Sequence, residues 1–322
     1  MDQQHNIPTV QQAPYYPDDE IDLRELFATL WAGKWVIFAF TLIFAAGGVA
    51  FALIKPNIYQ ASALVAPAND EGGVKGLSGQ LGGLASLAGI SLGGGSSNQT
   101  VIAKEVLQSR AFLTDFIHRH QLAVPLIAVD GWNQEKQQWQ YNREIYNPET
   151  ETWLQDSEGK SLAPTDWDLV KAFQENHLNV SENKDTGMLT ISIKNLSPIA
   201  AKEWVTLLVA DINEYMRKEN VSTAEARIAY LEGKLNETNI AGMQQVFYQL
   251  IESETRTVML ANAQREYVFR TIDPAVVPQE KSEPKRALIA VVATMLGGML
   301  GVLTVFVLVF IRSGKKDVVD NL

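Results

Sequence analysis

The chain has 322 residues, 37 Asp+Glu against 27 Lys+Arg for a formal net charge of −10, and no cysteine. The missing cysteine excludes disulfides, zinc–thiolate sites and thiol nucleophiles. The acidic balance excludes a nucleic-acid partner, which needs a basic face to neutralise phosphates. Two uncharged runs, residues 35–54 and 287–311, reach roughly 30 and 37 Å as helices, enough to cross a hydrocarbon core of about 30 Å. Composition therefore predicts a membrane protein with two transmembrane helices and a soluble domain at 55–286 that carries 22 Lys+Arg against 29 Asp+Glu.

Residues 1–34 form a tail whose first 17 residues are polar and proline-bearing, a composition that stays disordered. Ile21, Leu23, Leu26, Phe27 and Leu30 then recur at helical spacing behind Asp18, Asp19 and Glu20, predicting a short amphipathic helix. This long acidic leader is unlike the short basic start of a signal peptide, so the first run reads as a retained anchor. Arg312, Lys315 and Lys316 lie in the 312–322 tail, and the positive-inside rule then predicts both termini cytoplasmic and the domain periplasmic.

After the first span, residues 58–65 read as a strand. Residues 72–95 are glycine-rich and read as a flexible loop that carries Leu77, Leu81, Leu84 and Leu87; no Gly-x-x-x-x-Gly-Lys-Ser/Thr pattern occurs there. Helices are predicted at 98–108 and 111–120, followed by a stretch with Trp132, Trp139, Trp153 and Trp167 that is rich in turn residues. Residues 178–182 and 188–194 flank Asn-Lys-Asp-Thr-Gly, a hairpin signal. Ser197-Pro198 is a helix N-cap followed by a first-position proline. The helix it opens repeats Ala201, Val205, Leu208, Ile212 and Tyr215 in a heptad-like seam.

Residues 222–267 lack proline and place Leu231, Leu235, Val246 and Leu250 on an apolar stripe, predicting a long helix that needs a partner surface. Gly242 marks a possible break. Self-association is the economical answer, so Val205, Leu208, Ile212, Leu231, Leu235, Val246 and Leu250 are the candidate oligomer contacts. Residues 268–276 read as a return strand completing a small mixed sheet.

Motifs for chemistry are weak throughout. Gly159-Lys160-Ser161 lacks the first glycine of a phosphate loop, since position 154 is Leu. Ser157 and Ser282 each precede a lysine by three residues, but no Lys-Thr-Gly or Ser-Asp-Asn accompanies them. His5, His118, His120 and His177 make no metal pattern and read as solvated polar residues. No catalytic residue, metal or cofactor is expected.

The second span is the most specific part of the chain. Pro274, Pro278 and Pro284-Lys285-Arg286 run into a helix with Gly297, Gly298 and Gly301. This resembles the proline-glycine signature of the Wzz chain-length determinants, the polysaccharide co-polymerases. Ile21-Asp22-Leu23-Arg24-Glu25-Leu26 resembles their N-terminal lead-in, and the Ser197-Pro198 helix, long helix and return strand resemble their periplasmic core. The resemblance implies a non-catalytic inner-membrane protein with a membrane-proximal α/β base. Its protomers would form a ring of about eight copies with closed cyclic symmetry. The ring would set the modal length of O-antigen with a Wzy-type polymerase acting on an undecaprenyl-diphosphate-linked glycan. Only 11 residues follow the second run, so the kinase-free subclass is expected. Gly297-x-x-x-Gly301 permits close helix approach, to Gly47 and Gly48 or to the polymerase, while Lys285 and Arg286 sit where cations meet lipid headgroups. A capsule, exopolysaccharide or enterobacterial-common-antigen-like polymer is the alternative product. A two-span periplasmic sensor is the alternative of another class.

Overall fold

The computed structural model describes residues 23–68 and 95–319. The expected disordered tail at 1–17 and the glycine-rich loop at 72–94 lie outside the described residues. The chain divides into two units, one formed by residues 1–55 and 285–322, the other by 56–284.

The first unit contains α1 (Leu23–Ala32), α2 (Lys34–Ile54) and, from the far end of the chain, α9 (Arg286–Val319). Its span helices are long and apolar enough to cross a membrane at Lys34–Ile54 and Arg286–Ile311. They present Phe38, Leu42, Val291, Leu303 and similar side chains outward, as lipid-facing helices do. Trp31 and Trp35 are exposed at one end, with the Lys34 ammonium 4.7 Å from the Trp31 ring.

The second unit is built on a four-stranded sheet of order β6-β7-β1-β8, where β1 is Tyr59–Pro67, β6 Leu178–Glu182, β7 Leu189–Asn195 and β8 Phe269–Asp273. Every pairing is antiparallel. This corrects the mixed sheet expected above: β7 and β8 both run against β1 and flank it, so no parallel neighbours arise. The β6–β7 hairpin closes at Asn183–Gly187, where Gly187 has φ +67° and Asn183 Oδ1 accepts from the Asp185 and Thr186 amides. Ala61, Ala63 and Val65 of β1 and Leu189, Ile191 and Ile193 of β7 give the sheet one apolar face.

That face is covered by α7 (Pro198–Glu237), whose Ser197 side chain accepts from the Ala200 amide at 3.2 Å. Ala201, Val205, Leu208 and Ile212 of α7 are fully buried in one core with Leu107 of α3 (Gly95–Leu107) and Phe112, Leu113, Phe116 and Ile117 of α4 (Arg110–Arg119). Burial of each of these Val, Leu, Ile and Phe side chains contributes about 1.5–3 kcal/mol.

The helix boundaries differ from the expected ones. Residues 198–237 form a single helix of 40 residues, roughly 60 Å long, and α8 (Ala241–Ala263) packs back along it. The expected helix at 222–267 is thus broken, three residues ahead of Gly242. Thr238 and Ile240 take extended backbone (ψ 124° and 110°), and the Thr238 amide caps Leu235 O. Gly242 instead lies inside the first turn of α8.

The tryptophan-rich stretch, expected only to be rich in turns, resolves into tandem hairpins. After α5 (Ala123–Ile127), β2 (Val129–Asn133) pairs with β3 (Gln138–Tyr141), and β4 (Tyr146–Asn147) with β5 (Thr152–Trp153). Trp132 faces Trp139, and Tyr146 faces Trp153 fourteen residues later. Asn133 and Asn147 open the two turns by accepting backbone amides, and Gln137 and Glu151 close them at φ 50° and 53°. Edge-on aromatic pairs (ring centres 4.9 and 5.3 Å apart) hold strands too short to persist alone. Next, α6 (Asp166–Ala172) begins with a Thr165/Asp168 capping box and leads through a π-helical turn to β6.

Candidate functional site

The membrane helices meet through small residues. A Cβ at Gly301 would lie 2.8 Å from Ile37 Cα, one at Gly297 3.0 Å from Phe40 O, and one at Gly48 2.4 Å from the Ala293 side chain. The two backbone contacts at Gly301 and Gly297 leave no room for any side chain. Gly298 is looser, with Thr41 Oγ1 at 3.7 Å, and Gly47 faces open space. Of the glycines singled out from sequence, Gly297, Gly301 and Gly48 therefore form the tight part of the α2–α9 contact, Gly298 sits at ordinary contact distance, and Gly47 takes no part in it. At one end of the pair Arg286 Nε donates to Ala52 O at 3.1 Å, and the Lys55 ammonium lies 5.1 Å from the Phe51 ring.

Pro274, Pro278 and Pro284 lie on a connector without helix or strand, and the Glu283–Pro284 peptide is cis. The connector is tied to the start of the second unit: Ile58 N donates to Glu283 O at 3.0 Å, and Ser282 N to Ile58 O at 2.8 Å. Glu283 is ion-paired with Lys194 of β7. The two points where the chain enters and leaves this unit are thus joined by backbone hydrogen bonds.

The candidate oligomer contacts separate into two groups. Val205, Leu208 and Ile212 are each 0% exposed. They pack under the protomer's own sheet, so the expectation that they meet a second copy is corrected. A seam of apolar residues looks the same in sequence whether a sheet or another protomer covers it. Leu231 and Leu235 are half-buried, whereas Val246 and Leu250 are 50% and 45% exposed. With Met243 they continue one exposed stripe of α8 at helical spacing.

A cleft of about 550 Å³ opens beside β8 and α7, lined by Asp211, Glu214, Arg217, Arg265, Thr271 and Pro274 among others. Burial pushes the Glu214 carboxyl up, but hydrogen bonds from Arg217 and Lys218 outweigh it, and the net displacement is downward. Asp211 also accepts from Arg119 at 3.0 Å and contacts His120 Nε2 at 2.9 Å. His118 pairs with Asp166, and His177 is half-buried with Nδ1 2.7 Å from Lys194 O. These three histidines are engaged, not simply solvated as expected. Among the described residues no group of three or more His, Asp or Glu is placed to hold a metal ion. Gly159-Lys160-Ser161 lies in a turn held by Asp156, with Gly159 at φ +80° and no helix directly after it, which is not the geometry of a phosphate loop.

Two family models match the chain. Residues 19–120 match Wzz, chain length determinant protein, and residues 237–310 match GNVR, described as a G-rich domain on putative tyrosine kinase. The second match covers α8, β8, the proline connector and most of the second span, and it weighs against the expected kinase-free subclass. Among solved structures, a full-length bacterial polysaccharide co-polymerase is 14% identical, with 92% of this chain and 99% of that chain covered at a TM-score of 0.38. A fragment of WzzB, a polysaccharide co-polymerase from Salmonella Typhimurium, is 11% identical over 70% of this chain and 100% of that one, at 0.28. No curated relative matches the sequence.

Proposed function

Since this chain belongs to the Wzz family of chain length determinants, regulators of polysaccharide length, we propose that it sets the modal length of the O-antigen of lipopolysaccharide. It does so as a homo-oligomeric ring in the inner membrane, beside a Wzy-type polymerase that extends an undecaprenyl-diphosphate-linked glycan. The second unit lies in the periplasm and both termini in the cytoplasm. The chain performs no bond chemistry of its own; it acts by assembly.

The observation that carries this reading is the Wzz match at 19–120, which takes in α1, the first span, β1, α3 and α4. The exposed Met243, Val246 and Leu250 stripe supplies the surface for self-association. The α2–α9 pair anchors each copy, and the proline and glycine residues at 274–301 couple the sheet unit to the polymerase.

A second reading is favoured by the GNVR match at 237–310. Here the polymer is a capsule or exopolysaccharide, and length control is coupled to a tyrosine kinase. Glycan profiles of a deletion strain separate the two. Loss of modality in lipopolysaccharide supports the first, and unchanged lipopolysaccharide with altered capsule supports the second.

A further inference from the structure

On the side of the α2–α9 pair that Gly47 faces, a cleft of about 630 Å³ opens between the helices. This is within the roughly 300–1,000 Å³ range of small-ligand clefts. Its walls are apolar: Ile43, Phe44 and Phe51 from α2, and Leu288, Val292 and Leu296 from α9. The α9 residues recur every four positions, so the cleft follows the helix axis for roughly 12 Å. Gly47 lines it, and nothing lies within 4 Å of where a Cβ at this position would stand, so the cleft has room for a side chain there.

One end of the cleft is cationic. Phe51, a wall residue, carries the Lys55 ammonium 5.1 Å from its ring. Arg286, two residues before Leu288, holds Ala52 O, and Lys285 precedes it. No Asp or Glu occurs anywhere in residues 26–55 or 285–316, and Glu283, two residues before Lys285, is ion-paired with Lys194 of β7. A transmembrane helix of a partner would fill the cleft and leave the charges as they are. An acyl chain beneath a phosphate headgroup satisfies both the apolar walls and the cationic mouth.

We propose that this cleft is a binding site for an acidic phospholipid, with one acyl chain between the spans and its phosphate at Lys55 and Lys285. The proposal rests on the two helices lying in a bilayer and not on the chain-length reading, so either can fail alone.

The test is native mass spectrometry of the full detergent-solubilised chain with added phosphatidylglycerol or phosphatidylcholine. Wild type should retain phosphatidylglycerol preferentially. Gly47→Leu, which fills the cleft without touching the helix contact, should bind one phosphatidylglycerol fewer per chain. Lys55→Gln with Lys285→Gln should lower phosphatidylglycerol affinity roughly thirty-fold, from about 1 kcal/mol per cation, and leave phosphatidylcholine binding unchanged. Inorganic phosphate should not compete. Equal retention of the two lipids, unchanged lipid counts in Gly47→Leu, or competition by inorganic phosphate alone would overturn the proposal. Should Gly47→Leu not accumulate, the lysine pair decides: a preference that survives both substitutions overturns it, and a lost preference supports it.

Discussion

Asn213 of α7 holds Phe269 of β8 by both of its backbone groups: its Nδ2 donates to Phe269 O at 3.0 Å, and its Oδ1 accepts from Phe269 N at 2.9 Å. The same oxygen accepts from Val268 N at 2.8 Å. β8 is an edge strand of the sheet, so these groups have no strand partner on that side, and a buried asparagine supplies one. Asn213→Leu leaves the buried amides unsatisfied, at about 1–3 kcal/mol each. A loss on the order of 2–4 kcal/mol is expected, read as a clear fall in the Tm of the solubilised chain. An unchanged Tm would mean that water replaces the amide.

His177 gives the fold a pH dependence. Burial lowers its pKa below the ordinary 6.5, opposed in part by its hydrogen bond to Lys194 O. The folded state therefore prefers the neutral ring, while the unfolded chain takes up a proton once the pH falls below about 6.5. The stability this neutral ring contributes is complete above that pH and is lost as pH falls through the unfolded and then the folded pKa. Phe173 and Trp204 rings lie 6.2 and 5.7 Å away, so His177→Phe fits the site chemically. Its Tm should fall less between pH 7 and 5 than that of wild type. Parallel curves would assign the acid loss to other groups.

The span glycines should differ from one another in a way their sequence pattern does not show. A side chain at Gly301 meets the Ile37 backbone, which cannot move aside, whereas one at Gly298 meets only Thr41 Oγ1 at 3.7 Å. Gly301→Leu should separate the helices and lower thermal stability in detergent. Gly298→Leu should leave stability within about 0.5 kcal/mol of wild type, as a substitution away from a contact does. Equal losses in the two variants would contradict the packing described.

The apolar residues of α7 and α8 should separate core from assembly. Leu208→Ala empties a fully buried site and should cost about 2–5 kcal/mol in stability, without altering subunit number in the fraction that stays folded. Val246→Glu with Leu250→Glu alters an exposed stripe and should leave Tm nearly unchanged while lowering the assembly mass by light scattering. If both variants assemble like wild type, α8 is not the contact.

How much of this was legible in the sequence depends on the range of the interaction. The spans follow from uninterrupted apolar length, the β6–β7 hairpin from alternation around Asn183–Gly187, and the α7 start from Ser197-Pro198; all are local. The partner of the Val205, Leu208 and Ile212 seam is not legible locally, because the face it covers is completed by β1, more than a hundred residues earlier. Asn213 carried no signal, since a buried amide looks like a surface one until β8 is placed over it. The helix break open near Gly242 falls at Thr238–Ile240, whose extended backbone lets α8 pack back along α7. The fourteen-residue repeat of Trp132/Trp139 and Tyr146/Trp153 was there to be found, but its period is that of a hairpin pair and not of a helix or strand.

The most direct measurement is the lipopolysaccharide ladder of a strain lacking this protein, run beside the same strain expressing the full chain. The account predicts that deletion replaces a cluster of bands at one length with a distribution falling steadily with length, and that the full chain restores the cluster. It further predicts that Val246→Glu with Leu250→Glu, present at wild-type amounts in the membrane, does not restore it. A ladder unaltered by deletion, with no other surface polysaccharide changed in length, would contradict it.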